Sequence, residues 1–248
     1  MSDHWNFYFS RVNNVLASIA VDLGLHELAP DVSRPFLLWV WVYLKTPRPD
    51  GLSDSIEFDS LQAIEKKASE SLGREFDAIL CGRITTDGRR EFYYYAARSE
   101  GFEAIAANVM THFRGYKFSC GHQAEPDWNQ YLTLLYPSDE NRQCIENRSV
   151  LEALERKGDT LNAPRDVRHW IYFPNELDRD SFWAVIQPLE YRIQSRPHSP
   201  GDELPFGLCI VRFQSVKQTD LDEAVIELFR YAKIFHGDYD GWETEVIS

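Results

Sequence analysis

The chain has 248 residues, of which 44% are apolar and 14% aromatic, a composition that excludes an intrinsically disordered protein. Its 39 acidic and 26 basic side chains give a formal net charge of −13. This charge argues against binding nucleic acid through phosphate neutralisation and favours a basic protein surface as the partner. The length predicts two domains, since one domain usually has roughly 100 to 200 residues.

The cysteine pattern and the hydropathy pattern predict a soluble, cytoplasmic protein. Cys81, Cys120, Cys144 and Cys209 are far apart, form no C-x-x-C pair and lie in or near apolar runs, as reduced cysteines of a cytosolic protein do. The longest apolar run, residues 36–44, is much shorter than a membrane span. The N-terminus lacks a basic segment followed by an apolar stretch, so we expect no signal peptide.

The first elements predicted by the sequence are a β-hairpin and a buried strand. Apolar and polar residues alternate over residues 5–9 and again over residues 15–21, with Asn13 and Asn14 between the two runs. Residues 36–44 are apolar throughout, which is typical of a strand buried on both faces. We therefore expect this strand in the interior of a sheet.

The next segment predicts the order helix, strand, strand, helix, strand. The predicted elements are a helix from an N-cap at Asp59 to Gly73, strands 78–85 and 91–97 around an Asp87-Gly88 turn, a helix over 102–113 and a strand over 116–120. Together with the preceding strand, this order is the split βαβ, or ferredoxin-like, pattern. Residues 131–136 predict an added edge strand, and Ser138 caps a helix that ends at Gly158.

The second half of the chain predicts the same order of elements. The predicted elements are strand 169–173, helix 178–187, strands 189–195 and 206–213, helix 220–235 with a Thr219/Asp222 capping box, and a final extended segment. The polar, proline-rich loop 196–203 is expected to protrude. We predict an α+β protein with two ferredoxin-like domains: residues 1–137 with an added N-terminal β-hairpin, a helical connector 138–158, and residues 159–248.

The sequence contains none of the common motifs that carry a catalytic mechanism, so we predict no catalytic residue and no cofactor. Two clusters contain potential metal ligands. Cys120 and His122 would share a strand face, but a tetrahedral zinc site needs further ligands. The carboxylates Asp238, Asp240, Glu243 and Glu245 do not follow the spacing of an EF-hand loop and favour a solvated acidic edge.

A second interpretation is a module that binds RNA or a small molecule. Residues 92–95 are four aromatic side chains on one strand, where bases could stack, and Arg89 and Arg90 lie close by. The acidic composition favours aromatic packing within the sheet instead. The stiff loop around Arg48 could present that side chain at a fixed place, or could serve stability alone.

The C-terminal residues Tyr239-Asp240-Gly241-Trp242 resemble the closing segment of the B-type regulators of ribonuclease E activity, the RraB family. This chain has Glu243 where that family has a second glycine. The resemblance extends back through the helix at 220–235 to Asp180-Ser181-Phe182. It implies an acidic, non-catalytic protein that binds the endoribonuclease and restrains its cleavage of RNA.

The N-terminal half resembles a bacterial family called domain of unknown function 695. The residues that carry the resemblance are Trp5-x-Phe7-Tyr8, Ala17-Ser18-Ile19, Val21-Asp22-Leu23 and Arg48-Pro49-Asp50-Gly51-Leu52. This resemblance implies an architecture and no function.

The two resemblances together predict the partner and the contact residues. The expected partner is a ribonuclease E-like endoribonuclease or another basic protein surface, without direct nucleic-acid binding and without a membrane. Tyr239, Asp240, Gly241 and Trp242 are the predicted protein-interaction residues. The ring of Trp242 either anchors the interface or tucks against the last helix.

Overall fold

The computed structural model describes Ser2 and residues 4–247, and the chain divides into two compact units, residues 1–141 and 142–248. Each unit contains one antiparallel sheet together with helices, so the protein is α+β.

The first unit is built on a six-stranded sheet in the order β1-β2-β4-β5-β3-β6, with every neighbouring pair antiparallel. The strands are β1 (Trp5–Val12), β2 (Val15–Asp22), β3 (Phe36–Tyr43), β4 (Ile79–Thr86), β5 (Arg89–Ala96) and β6 (Lys117–Ala124). Its helices are α1 (Phe58–Phe76) and α2 (Phe102–Met110). As predicted, the apolar strand β3 is interior, since β5 and β6 flank it.

Two tight hairpins fix the register of this sheet, and both were predicted. Asn13 and Asn14 connect β1 to β2 with φ of 50° and 66°, and Asp87 and Gly88 connect β4 to β5 with φ of 48° and 72°. Two consecutive positive φ angles are the conformation that matches the twist of paired strands, and Asn, Asp and Gly adopt it most readily.

One face of the sheet packs against α1 and α2 to form the first core. Leu38, Val40, Phe92 and Tyr94 on the strands meet Leu61, Ile64, Leu72 and Phe102 on the helices, and all eight are buried. The apolar stripe that predicted α1 is therefore its core face.

The predicted ends of α1 were wrong. The helix begins after Glu57 rather than at Asp59 and runs through Gly73 to Phe76, and Asp77 closes it with a φ of 51°. Burial of Phe76 in the core explains the extra turn, because apolar packing outweighs the helix cost of one glycine.

The edge strand predicted over residues 131–136 was also wrong. Residues Gln130–Leu135 form a π-helical turn that covers the other face of the sheet. Tyr131 is buried and donates a hydrogen bond of 2.8 Å to the Asp22 carbonyl, and Leu135 accepts one of 3.0 Å from the Tyr8 hydroxyl. Aromatic and β-branched composition predicted a strand, but these tertiary contacts favour the helical turn.

The second unit has a four-stranded antiparallel sheet in the order β10-β7-β9-β8. Its strands are β7 (Arg165–Phe173), β8 (Arg192–Ser195), β9 (Phe206–Gln214) and β10 (Asp238–Thr244). The helices are α3 (Asp139–Arg156), α4 (Glu176–Ile186) and α5 (Gln218–Ile234). The order from β7 onward is strand, helix, strand, strand, helix, strand, as predicted.

Helix α3, which was predicted as a connector between the two domains, also contributes to the second core. Its Leu151 and Leu154 are buried with apolar residues of the sheet, α4 and α5. Ser138 Oγ accepts a hydrogen bond of 3.3 Å from the Asn141 N–H, which confirms Ser138 as the cap. The capping box predicted at Thr219 and Asp222 was wrong, because α5 begins one residue before Thr219 and Asp222 bonds to α3 instead.

None of the helices in the described part of the chain combines the length and apolar character needed to cross a membrane. All four cysteines lie in the described part of the chain and form no disulfide, with Cys81 and Cys209 buried and Cys120 and Cys144 partly buried.

Candidate functional site

The predicted interaction residues lie on β10, an edge strand that pairs with β7 alone. Tyr239 pairs with Ile171 and Gly241 pairs with Trp170, so Asp240 is the extra residue of a β-bulge. Gly241 has a φ of 138°, a conformation that side chains with a Cβ rarely adopt. The bulge turns Asp240 outward, and its carboxylate is exposed.

Tyr239 points inward and belongs to the core rather than to a contact surface. Its side chain is 3% exposed, and its hydroxyl shares a hydrogen bond of 2.8 Å with Nδ1 of the fully buried His169. Burial lowers the pKa of His169 to about 3, so its ring is neutral at physiological pH. Burial also raises the pKa of Tyr239 well above its ordinary value.

Trp242 is half-buried, packs against the second core and hydrogen-bonds to α3. Its indole N–H donates a hydrogen bond of 2.8 Å to Oδ1 of Asn147, and the Asn147 amide donates one of 2.8 Å to the Asp222 carboxylate. Of the two roles predicted for Trp242, the structure shows a tucked ring, but its polar partner is on α3 and not on α5. The three residues connect β10, α3 and α5.

The space between α3 and β10 is a surface groove of about 260 Å³. It is lined by Gln143, Glu146, Asn147 and Val150 of α3, Trp170 of β7, and Asp240, Gly241, Trp242 and Glu243 of β10. Three of these side chains are carboxylates, two are indoles, and none of the described lining residues is basic. A groove of this composition suits a cationic group with a flat or apolar stem.

The electrostatic character of the groove comes from both walls. Glu146 of α3 is exposed and lines the groove with Asp240 and Glu243, and desolvation raises its pKa against the opposing charge of Arg142. Glu243 replaces the second glycine of the segment that the C-terminal residues resemble, and it adds one of the three carboxylates of the groove.

The α3 wall of the groove was not predicted, since it is about 95 residues away in sequence from Trp242. One signal was available. Asn147, Leu151 and Leu154 follow helical spacing, and all three are buried. A polar residue on an apolar stripe requires a hydrogen-bond partner, and Asn147 has two.

The aromatic strand considered for RNA binding is buried. Phe92, Tyr93, Tyr94 and Tyr95 are each 5% exposed or less, so they cannot stack on bases. The side chain of Arg48 in the stiff loop forms an ion pair of 2.6 Å with Asp50.

The residues considered for metal binding are placed apart or paired elsewhere. His122 bonds to Glu103 at 2.8 Å, and Cys120 packs against the first core, where burial raises the pKa of its thiol. Asp238 pairs with Lys233, and Glu245 lies 3.9 Å from Arg168. Within residue 2 and residues 4–247, no group of three or more His, Cys, Asp or Glu side chains could hold a metal ion.

Residues 3–136 match the model of a family described as a family of unknown function, DUF695. The chain belongs to this family. Residues 144–244, which contain the groove and the Tyr-Asp-Gly-Trp segment, match the model of Regulator of ribonuclease activity B. This second match suggests a regulator of ribonuclease activity, and both matches agree with the resemblances seen in the sequence.

The chain matches none of the curated proteins with which it was compared. Among solved structures, it is similar to the crystal structure of an unknown protein from Galdieria sulphuraria. The identity is 11%, the match covers 87% of this chain and 99% of that one, and the TM-score of 0.22 is too low to inform the fold.

Proposed function

We propose that this protein is a non-catalytic, acidic, protein-binding regulator that binds a ribonuclease E-like endoribonuclease and slows its cleavage of RNA. The observation that carries the proposal is the match of residues 144–244 to Regulator of ribonuclease activity B, because the matched segment contains both walls of the acidic groove.

The groove supplies a physical basis for the contact. An arginine side chain of the partner would stack its guanidinium on Trp170 or Trp242 and pair with Glu146, Asp240 or Glu243. Trp242 and Asn147 already share a hydrogen bond, so the ring is held in place before binding and loses little freedom. Tyr239 and Gly241 act indirectly, by holding the strand and shaping the bulge.

The net charge of −13 supports the same partner chemistry. Complementary charge mainly speeds the encounter of two proteins and determines which surfaces meet. We therefore place the specificity in the groove and assign the rest of the acidic surface to association rate.

Removing the groove carboxylates tests the proposal. The variant Glu146→Gln/Asp240→Asn/Glu243→Gln should bind the host's ribonuclease E-like enzyme at least about 10-fold more weakly, since each lost pair with a buried or half-buried cation is worth about 1.5–3 kcal/mol. Surface plasmon resonance gives the affinity, and cleavage of a test RNA gives the inhibition.

A matched variant separates the groove from general charge. Glu190→Gln/Asp202→Asn/Glu203→Gln removes the same charge from exposed positions of the second unit, and it should lower the association rate at low salt without abolishing inhibition. Equal losses in both variants would place the contact outside the groove. Absence of binding by the unmodified protein at low micromolar concentration would refute the proposed function.

We also propose that both units are ferredoxin-like. The strand orders β6-β3-β5-β4 and β10-β7-β9-β8 support this, since each places the first and third strands of a βαββαβ unit at the centre of its sheet. We keep the segments 1–137, 138–158 and 159–248 as our proposal for how the chain is organised, with segment 138–158 packed on the second core through Leu151 and Leu154.

A further inference from the structure

The first unit contains a second pocket, of about 220 Å³, on the face of the sheet that carries α1. Its described lining includes Trp5 and Phe7 from β1, Ser18 from β2, Arg83 and Thr85 from β4, and Arg90 from β5. Two guanidinium groups, two hydroxyls and two aromatic rings therefore surround one small space.

Arg90 is a buried cation without a carboxylate partner. Only 9% of the Arg90 surface is exposed to solvent. Its Nε donates to Thr85 Oγ1 at 2.9 Å and its Nη2 donates to Ser53 Oγ at 3.1 Å. Among the residues that the structure describes, Arg90 forms no ion pair, and Nε and Nη2 form its hydrogen bonds to the two hydroxyls. No carboxylate of the described residues contacts this guanidinium, and its charge is balanced only at longer range by Glu65 and Glu57.

The nearby carboxylates are committed to other donors. Glu65 accepts from Nη1 of Arg83 with both oxygens at 2.8 Å. Glu57 accepts from the backbone N–H groups of Lys45 and Thr46 at 3.0 and 3.1 Å. Arg83 and Glu65 cancel in charge, and Glu57 balances Arg90 only from outside the pocket, whose described lining contains two arginines and no carboxylate.

An anion in the pocket would balance the charge of Arg90 by direct contact. Burial and the nearby charge of Arg83 lower the pKa of Arg90 to about 10, against the opposing charges of Glu65 and Glu57, so the group is still protonated at neutral pH. A protein seldom keeps a buried charge unpaired, because desolvation costs far more than two neutral hydrogen bonds recover.

We propose that this pocket binds the oxyanion group of a small molecule, a carboxylate or a phosphate, through Arg90, Arg83 and the hydroxyls of Thr85 and Ser18. The volume is below the range of about 300–1,000 Å³ that drug-sized ligands occupy, so the ligand or its bound part is small. Trp5 and Phe7, which are 37% and 40% exposed, offer aromatic faces to an apolar body attached to the anion.

Isothermal titration of the full chain with inorganic phosphate, phenyl phosphate and benzoate tests the proposal. We expect at least one of the three probes to bind and to raise the melting temperature. Binding of the phosphates alone identifies a phosphate site, and binding of benzoate alone identifies a carboxylate site. No binding of any probe at millimolar concentration would overturn the inference.

Arg90→Met should lower the affinity for the bound probe by about 10- to 100-fold, the loss expected for a charge-assisted hydrogen bond. The unliganded variant should be no less stable than the wild type, because an unpaired buried charge has been removed. Lower stability together with unchanged probe affinity would show that Arg90 has only a structural role.

Two further variants keep the test decisive if Arg90→Met does not fold. Ser18→Glu places a carboxylate opposite Thr85 in the strand register, so it should abolish probe binding and raise the melting temperature. Arg89→Gln is the matched control, since Arg89 lies on the opposite sheet face and pairs with Asp87 and Glu91. Binding of single-stranded RNA that survives Arg90→Met, without binding of the small probes, would contradict the proposal.

Discussion

His169 is held in its neutral form by complete burial in the second core. Tyr239 supplies one hydrogen bond to the ring, while Nε2 has no partner among the described residues. Protonation would place a charge at a site without water, and this explains why its pKa falls from 6.5 to about 3. Tyr239 of the Tyr-Asp-Gly-Trp segment therefore stabilises the fold of the second unit.

Acid should therefore destabilise the protein through His169. Between pH 6.5 and 3 the unfolded chain binds the proton and the folded chain does not, so stability decreases as pH falls. At pH 5 the loss from this one group should be about 2 kcal/mol relative to pH 7. Urea denaturation at a series of pH values measures it.

The variant His169→Gln isolates that contribution, because glutamine can still bond to the Tyr239 hydroxyl but does not titrate. Its free energy of unfolding should decrease less steeply between pH 7 and pH 5 than that of the wild type. Identical slopes for the two proteins would mean that His169 gains its proton in the folded state.

At the scale of elements, a buried ion pair fixes the start of β7. Asp159 and Arg165 have side chains that are 0% and 5% exposed, and Arg165 Nη2 donates to Asp159 at 2.9 Å. Asp159 also accepts from the N–H groups of Leu161 and Ile247 at 2.9 and 2.8 Å. These bonds hold the pKa of Asp159 well below its usual range.

Replacing only one residue of this ion pair should strongly destabilise the fold. Asp159→Ala leaves a buried guanidinium without its carboxylate, so we expect a loss of about 3–5 kcal/mol in the free energy of unfolding. Asp159→Ala/Arg165→Met should recover part of that loss, since no charge remains buried. Chemical denaturation of both variants measures the difference, and a double variant less stable than the single one would contradict this account.

Helix α3 gives a prediction about domain limits. A fragment of residues 138–248 keeps the Ser138 cap together with Leu151 and Leu154, whereas a fragment of residues 159–248 loses both buried leucines. Each lost leucine costs about 2–5 kcal/mol, so only the longer fragment should unfold cooperatively. Calorimetry of the two fragments decides the matter.

Local chemistry predicted the elements well, and tertiary contacts decided their ends. The Asn13-Asn14 and Asp87-Gly88 turns were predictable because their backbone conformation depends on two residues alone. Gly73 did not end α1 because the buried Phe76 lies one turn further on. Residues 130–135 have strand-like composition, and contacts with residues distant in sequence, such as Asp22 and Tyr8, favour the helical turn.

The β10 wall of the candidate groove could be predicted from sequence, and the α3 wall could not. Asp240 and Trp242 could be named from the short Tyr-Asp-Gly-Trp segment, but Glu146 and Asn147 reach them only through the packing of α3. The unpaired state of Arg90 could not be known from sequence at all, since it depends on where Glu57 and Glu65 direct their oxygens.

For the whole molecule, the two acidic units carry sites of opposite sign. The groove beside β10 has three carboxylates, whereas the pocket beside β1 has two arginines and one neighbouring glutamate. The two proposals together predict that a single chain binds a basic protein surface at one unit and a small anion at the other. The two activities can be measured separately, since no residue is common to both sites.

The position of β1 has a consequence for behaviour in concentrated solution. It is the outermost strand of its sheet and exposes the rings of Trp5, Phe7 and Phe9. An open strand edge with aromatic side chains invites pairing between copies, and the charge of −13 opposes it over about one Debye length, roughly 10 Å at 0.1 M salt and 3 Å at 1 M. Colloidal stability should therefore fall as ionic strength rises, so this protein is best stored dilute in buffers of low salt.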